Sequence, residues 1–245
     1  MTINHIIQLL TIVIKENIMN NTHFKPAFTL AETLITISII GIIAAMTLPT
    51  LITNAQKEAT ASQLKKFYNT INNALQFAKA DHGDVEYWMG TPKDLTYEEN
   101  LDFMKTYILP YIKYNRYDNC FENAVCIYMT AGGMFAFRYD KNGGDIFYFI
   151  NGKYNPDASI NENIRNVFAF QFNKINGYDT DGNKMENKGI KTTVEPYSMN
   201  WDGTYNDLIY NNGRGCNKTR SSKRSTFCTK LIQMNDWKIT KDYPW

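Results

Sequence analysis

Between Thr33 and Gln56 the chain runs for 24 positions without a charged side chain. A helix needs about 20 such residues to cross a bilayer, so this run is long enough to span one. Glu32 stands at its edge, with no cation inside the run to pair with. Beyond Lys57 the pattern changes. Leu64, Phe67 or Tyr68, Ile71, Leu75 and Ala78 recur three or four apart, with polar residues on the other faces, which is the repeat of an amphipathic helix. The two stretches together predict one helix over residues 28–80, ~80 Å long if unbroken at 1.5 Å per residue. Pro49 is expected to kink or loosen it locally, and Gly83 to stop it.

After Gly83 a second helix is expected over residues 97–109. Thr96 and Glu99 have capping-box spacing, and Pro110 ends the helix. The pattern then shortens to strands. "VCIYMT" (125–130), "MFAFRYD" (134–140) and "DIFYFI" (145–150) are separated by the turns "AGG" and "KNGG", and "NVFAFQFNKI" (166–175) adds another apolar run. Short turn-linked strands imply an antiparallel meander. A long helix laid on such a sheet gives the α+β class.

Composition narrows the function classes. Net charge is +2, so nothing global asks for nucleic acid or an acidic partner. Sixteen Tyr, fourteen Phe and four Trp supply a large apolar core and exclude a disordered chain. Of the three histidines, His5 and His23 precede the apolar run and only His82 follows it, so a Ser-His-Asp or Cys-His group could be built only around His82. His82 reads better as a solvated helix terminus, and an enzyme is not expected. Residues 6–14, "IIQLLTIVI", are apolar but too short to span. Met19 follows closely and is a candidate start.

The stretch "AFTLAETLITISIIGIIAAMTLPTLI" resembles the N-terminal segment of bacterial type IV pilins and type II secretion pseudopilins. That family carries a short polar leader with a small residue, usually Gly, before a cut. Phe follows the cut, and Glu is the fifth mature residue. Here these correspond to Lys25 in the leader, Ala27, Phe28 and Glu32, with Gly41 and Pro49 also in register. The match covers about 30 residues, and hydrophobicity alone does not ask for Phe, Glu, Gly and Pro in that order. Ala27 departs from the usual Gly but is still small.

The resemblance implies the following organisation. Residues 1–27 are a leader, 28–56 the transmembrane half of the long helix, 57–82 its amphipathic half and 83–245 an extracytoplasmic α+β domain of pilin-like fold. A prepilin peptidase would cut between Ala27 and Phe28. The Phe28 amine would be N-methylated, and in a filament it would face Glu32 of a neighbouring subunit. Pairing removes much of the cost of a lone carboxylate in lipid. The implied partners are prepilin peptidase, other pilin or pseudopilin subunits, an inner-membrane assembly platform and membrane lipid. The implied location is a single-pass inner-membrane protein, then a pilus or pseudopilus. A signal peptide cut near Ala44 and Ala45 is the plainer alternative, and a Glu32 that only snorkels at the membrane surface is another. A rival function is a membrane-anchored binding module for carbohydrate or protein, or a minor pilin for adhesion or DNA uptake.

Four cysteines, 120, 126, 216 and 228, include no C-x-x-C pair, which argues against a redox pair or zinc ribbon. In an extracytoplasmic domain an even count suggests disulfides. We expect the local pairs Cys120–Cys126 and Cys216–Cys228, although three connectivities and free buried thiols stay open. Asp179, Asp181 and Asn183 alternate, with Glu186 close by, a spacing of hard oxygen ligands that suits Ca²⁺. Some major pseudopilins bind calcium in this domain, yet an ordinary Asp-Gly hairpin turn is the simpler reading of the same stretch. No other cofactor is expected. "RGCNKTRSSKR" (214–224) holds five cations and no acid. It could touch phosphates, but a solvated basic loop is the simpler reading and DNA is not expected as a partner. Trp237, Tyr243 and Trp245 are expected to dock on the domain.

Overall fold

An amphipathic helix needs a surface to cover its apolar stripe, and here that surface is a sheet. The computed structural model describes residues 29–88, 93–141, 143–155, 164–172, 193–218 and 225–245. It divides into two units, one ending at Ile52 and the other running from Thr53 to Trp245. Helix α1 spans Leu30–His82 and passes through Pro49 without ending. It stops where expected: Gly83 takes a φ of +79°, and its N–H donates to the Lys79 carbonyl at 2.9 Å, closing the last turn.

In the second unit α1 buries Leu64, Phe67, Ile71, Ala74, Leu75 and Ala78. These lie against a six-stranded antiparallel sheet in the order β1-β2-β3-β4-β5-β6. The strands are β1 (Tyr114–Asn119), β2 (Val125–Met129), β3 (Met134–Asp140), β4 (Gly143–Phe149), β5 (Val167–Phe172) and β6 (Val194–Pro196). Every strand pairs with its neighbour in sequence, so the expected meander is present. Phe67 is the central contact. Its ring stacks on Tyr148 at 4.3 Å and meets Phe135 at 5.4 Å and Phe170 edge-on at 5.2 Å. The β2–β3 turn must stay narrow there, because a Cβ on Gly133 would lie 2.5 Å from the Tyr148 hydroxyl.

Helix α2 (Tyr97–Tyr107) carries the full capping box: Thr96 and Glu99 each accept from the other's backbone N–H. It ends two residues earlier than the pattern suggests, and Pro110 falls in a 3₁₀ turn over Leu109–Tyr111. Asn100 fixes α2 to the sheet. It is fully buried, accepts from the Tyr139 N–H at 2.9 Å and donates to the Asn123 carbonyl at 3.1 Å. Asn72 does the same for the last strand: its amide accepts from the Val194 N–H at 2.9 Å and donates to the Val194 carbonyl at 3.0 Å. A side chain of α1 thus pairs with the backbone of β6 as a strand would.

Four elements lie outside the sequence reading. β1 is polar and half exposed, so it shows no alternation. β6 has three residues. Helices α3 (Tyr205–Tyr210) and α4 (Cys228–Met234) are under two turns long, too short for periodicity to register. The C-terminal aromatics do dock. Trp237 lies 5.1 Å from Tyr68, and the buried Tyr243 hydroxyl donates to the Ile164 carbonyl.

Replacing Asn100 with Leu orphans the buried Tyr139 N–H, worth about 1–3 kcal/mol, and removes the donor to the Asn123 carbonyl. Denaturant unfolding of the full chain in detergent should show a loss of about 2–4 kcal/mol. Burial pushes the Tyr148 phenol up to about 12 from its ordinary 10.0, and that of Tyr243 upward as well. The unfolded chain ionises these phenols first, so the stability they hold is complete below about pH 10 and lost as pH rises through 12. The unfolding midpoint should fall across that window, and Tyr148→Phe should make the fall shallower.

Candidate functional site

Every residue from Thr29 to Ile52 is exposed in the folded chain. Twelve of them are large apolar side chains, among them Leu30, Ile37, Ile40, Met46 and Leu51. An uncovered apolar surface of this extent asks for lipid or another protein. The first part of α1 has the length and hydropathy of a membrane anchor or signal segment. Four of its hydroxyls are already satisfied. Thr33 donates to the Leu30 carbonyl at 2.9 Å, Thr36 to Thr33 at 2.9 Å, Ser38 to Leu34 at 2.7 Å and Thr47 to Ile43 at 3.0 Å. Hydroxyls turned back onto their own helix add little cost in an apolar medium.

Glu32 has a local partner that the sequence reading did not supply. Its Oε2 accepts from the Thr29 N–H and from Thr29 Oγ1, each at 2.9 Å, while its own N–H donates to Thr29 Oγ1 at 3.2 Å. This is a reciprocal capping box at the start of α1. The signal was present: "TLAE" at 29–32 has the same spacing as Thr96–Glu99. Gly41 stands in the open, and a Cβ built there would meet nothing within 4 Å. Ala27, Phe28 and Met19 lie outside the described residues. So do Asp179, Asp181, Asn183 and Glu186.

The cysteines form the two local pairs. Cys120–Cys126 and Cys216–Cys228 are disulfides with Cα separations of 5.9 and 4.7 Å. Two cations of the basic stretch are engaged in the fold. Arg214 donates to the Met199 carbonyl at 3.3 Å with its guanidinium 5.7 Å from the Tyr197 ring centroid, and Lys218 donates to the Trp245 carbonyl at 2.7 Å. Arg220, Lys223 and Arg224 lie outside the described residues. His82, at the end of α1, meets the Tyr107 ring edge-on at 5.2 Å.

These features define a class: an α+β domain on an antiparallel sheet, stapled by two disulfides and preceded by an apolar helical segment. The disulfides point to an oxidising, extracytoplasmic setting for the domain. Residues 50–245 match a family of unknown function (DUF6613), and the chain belongs to that family. No curated protein and no solved structure matches the chain. The matched region begins at residue 50, so Thr29, Glu32, Gly41 and Pro49 precede it.

Closing the Cys216–Cys228 loop limits the unfolded chain by about 3 kcal/mol in the loop-entropy account. The Cys216→Ser/Cys228→Ser variant should lose roughly that much stability, read from denaturant midpoints. Thiol labelling with intact mass should show no modified cysteine in the denatured wild type before reduction and all four after it.

Proposed function

We propose that this protein is a structural subunit of a type II secretion pseudopilus or a type IV pilus. It is stored in the membrane, cut between Ala27 and Phe28 by a prepilin peptidase and assembled through α1. One observation carries this reading: the "AFTLAE…G…P" register, with its resemblance to pilins and pseudopilins, heads a helix whose first 23 residues are all exposed and mostly apolar. A plain membrane anchor needs neither Glu32 nor Gly41. Glycine costs a helix about 1 kcal/mol relative to alanine, and among the described residues no side chain or loop requires it at this position. A neighbouring helix packed closely at Gly41 would.

The Thr29–Glu32 box makes the role of the carboxylate separable from its role as a cap. Glutamine can still accept from the Thr29 N–H, so Glu32→Gln keeps the cap and removes the charge. If the charge pairs with the Phe28 ammonium of a neighbour, Glu32→Gln and Glu32→Ala both abolish filament assembly while membrane insertion persists. If Glu32 only caps the helix, Glu32→Gln assembles normally, and the pairing is wrong.

The pathway is tested by intact mass and N-terminal sequencing from membranes with and without a prepilin peptidase. A mature chain beginning at N-methylated Phe28 is expected. An uncut chain, or one cut near Ala45, would replace this reading with an anchored or secreted domain. Gly41→Leu should insert and fold as the wild type does, yet reduce the yield of sheared filaments.

A further inference from the structure

Successive strand side chains point to opposite faces of a sheet. Tyr148 of β4 stacks on α1, so Asp145, Phe147 and Phe149 point to the face turned away from that helix, with Arg138 of β3 directly across from Asp145. That face holds a cleft of about 430 Å³, within the range of about 300–1,000 Å³ usual for small-molecule sites. Described residues from both disulfide loops help to line it. Phe121 and Glu122 come from inside the Cys120–Cys126 loop, and Ser225 and Thr226 from inside the Cys216–Cys228 ring.

The lining has a definite chemistry. Phe121, Phe147, Phe149 and Tyr154 form a continuous aromatic wall, with ring centroids 4.6 Å apart for Phe121–Tyr154, 5.9 Å for Phe149–Tyr154 and 6.3 Å for Phe121–Phe147. Facing it is a balanced set of charges. Arg138 bonds to Glu122 and lies 3.5 Å from Asp145, and Arg214 is held over Tyr197. Among the described residues that line it, two carboxylates and two guanidiniums cancel, so this lining favours neither an anion nor a cation. Ser225 and Thr226 are 8% and 9% exposed, and their hydroxyls have no hydrogen-bond partner among the described residues. Buried hydroxyls normally have one, and a hydroxyl can turn to give or accept a bond as a ligand requires.

We propose that this cleft binds a neutral saccharide. A pyranose ring has a C–H face, which fits the aromatic wall, and an edge of hydroxyls. Those hydroxyls can both donate and accept, which matches Ser225, Thr226 and the Glu122–Arg138–Asp145 row. An apolar ligand would strip water from that row and from the two hydroxyls and give no hydrogen bond in return. A charged ligand would meet described carboxylates and guanidiniums in equal number, with no net charge to offset its own. The site is a property of the second unit and does not depend on whether the chain forms a filament.

The test is saturation-transfer NMR on the full chain in a zwitterionic detergent free of sugar groups. The probes are maltose, cellobiose, lactose and N,N′-diacetylchitobiose, with sialyllactose and the tripeptide Gly-Phe-Gly as comparators. At least one neutral disaccharide should bind with a Kd of about 10 mM or tighter. Tyr154→Ala removes part of the wall at a side chain 40% exposed and should weaken that binding about tenfold, as loss of one good aromatic contact implies. Thr226→Val keeps the side-chain shape, removes the hydroxyl and should weaken binding without lowering Tm. Three results would overturn the proposal: no binding by any of the four neutral disaccharides, binding unchanged in Tyr154→Ala, or binding by only the tripeptide or sialyllactose.

Discussion

Phe67 seated among Phe135, Tyr148 and Phe170 is the contact on which the globular unit depends. It joins the middle of the amphipathic part of α1 to three neighbouring strands at once. An aromatic side chain buried this fully is worth about 3–5 kcal/mol against alanine, a large share of the roughly 5–15 kcal/mol that keeps a domain folded. The rest of the unit is arranged around that contact. Ile71, Leu75 and Ala78 continue the same stripe, α2 adds Phe103 stacked on Phe137 at 5.2 Å, and the Gly132–Gly133 turn leaves room for Tyr148.

One helix therefore meets two different demands. From Thr60 onward its buried residues sit at helical spacing and the opposite face is polar. From Leu30 to Ile52 it is apolar on most sides, and these residues are exposed, with none of the described residues covering them. A helix that is hydrophobic on every side belongs in lipid or inside a larger assembly. The internal hydroxyl bonds of Thr33, Thr36, Ser38 and Thr47 and the Thr29–Glu32 box leave few polar atoms to solvate. That economy suits either a bilayer or a helix bundle.

Covalent and polar staples hold the parts that the aromatic core does not reach. The Cys120–Cys126 disulfide does so on the sheet's far side, beside the small apolar cluster of Ala124, Cys126, Met134, Ala136 and Phe149, whereas Cys216–Cys228 lies within the main core. Asn100 and Asn72 answer backbone groups that strand pairing leaves over. A buried amide matched on both sides costs little, and it fixes one arrangement where apolar packing alone would tolerate several.

Much of this was legible in the sequence, because it depends on local period and local chemistry. The 3–4 spacing from Leu64 to Ala78, the Thr96–Glu99 box, the glycine turns and the apolar runs of β2–β5 each announce an element through its own residues. The close cysteine spacings made the local pairs the expectation, though they left three connectivities open. The elements that escaped are those whose identity comes from a neighbour. "YNRYDN" is a strand because β2 pairs with it, with Arg116 laid 3.6 Å from the Tyr128 ring centroid. Val194–Pro196 is a strand because β5 and Asn72 hold its two sides. The far-side cleft escaped for the same reason. Phe121, Arg138, Tyr154 and Thr226 line a cleft on that face from as many as 105 positions apart and share no spacing. The sequence by itself determined where the helix changes from uncovered to covered, and which class of fold follows. Only the tertiary structure decided which distant side chains face one another, since that depends on strand order and sheet face rather than on any repeat along the chain.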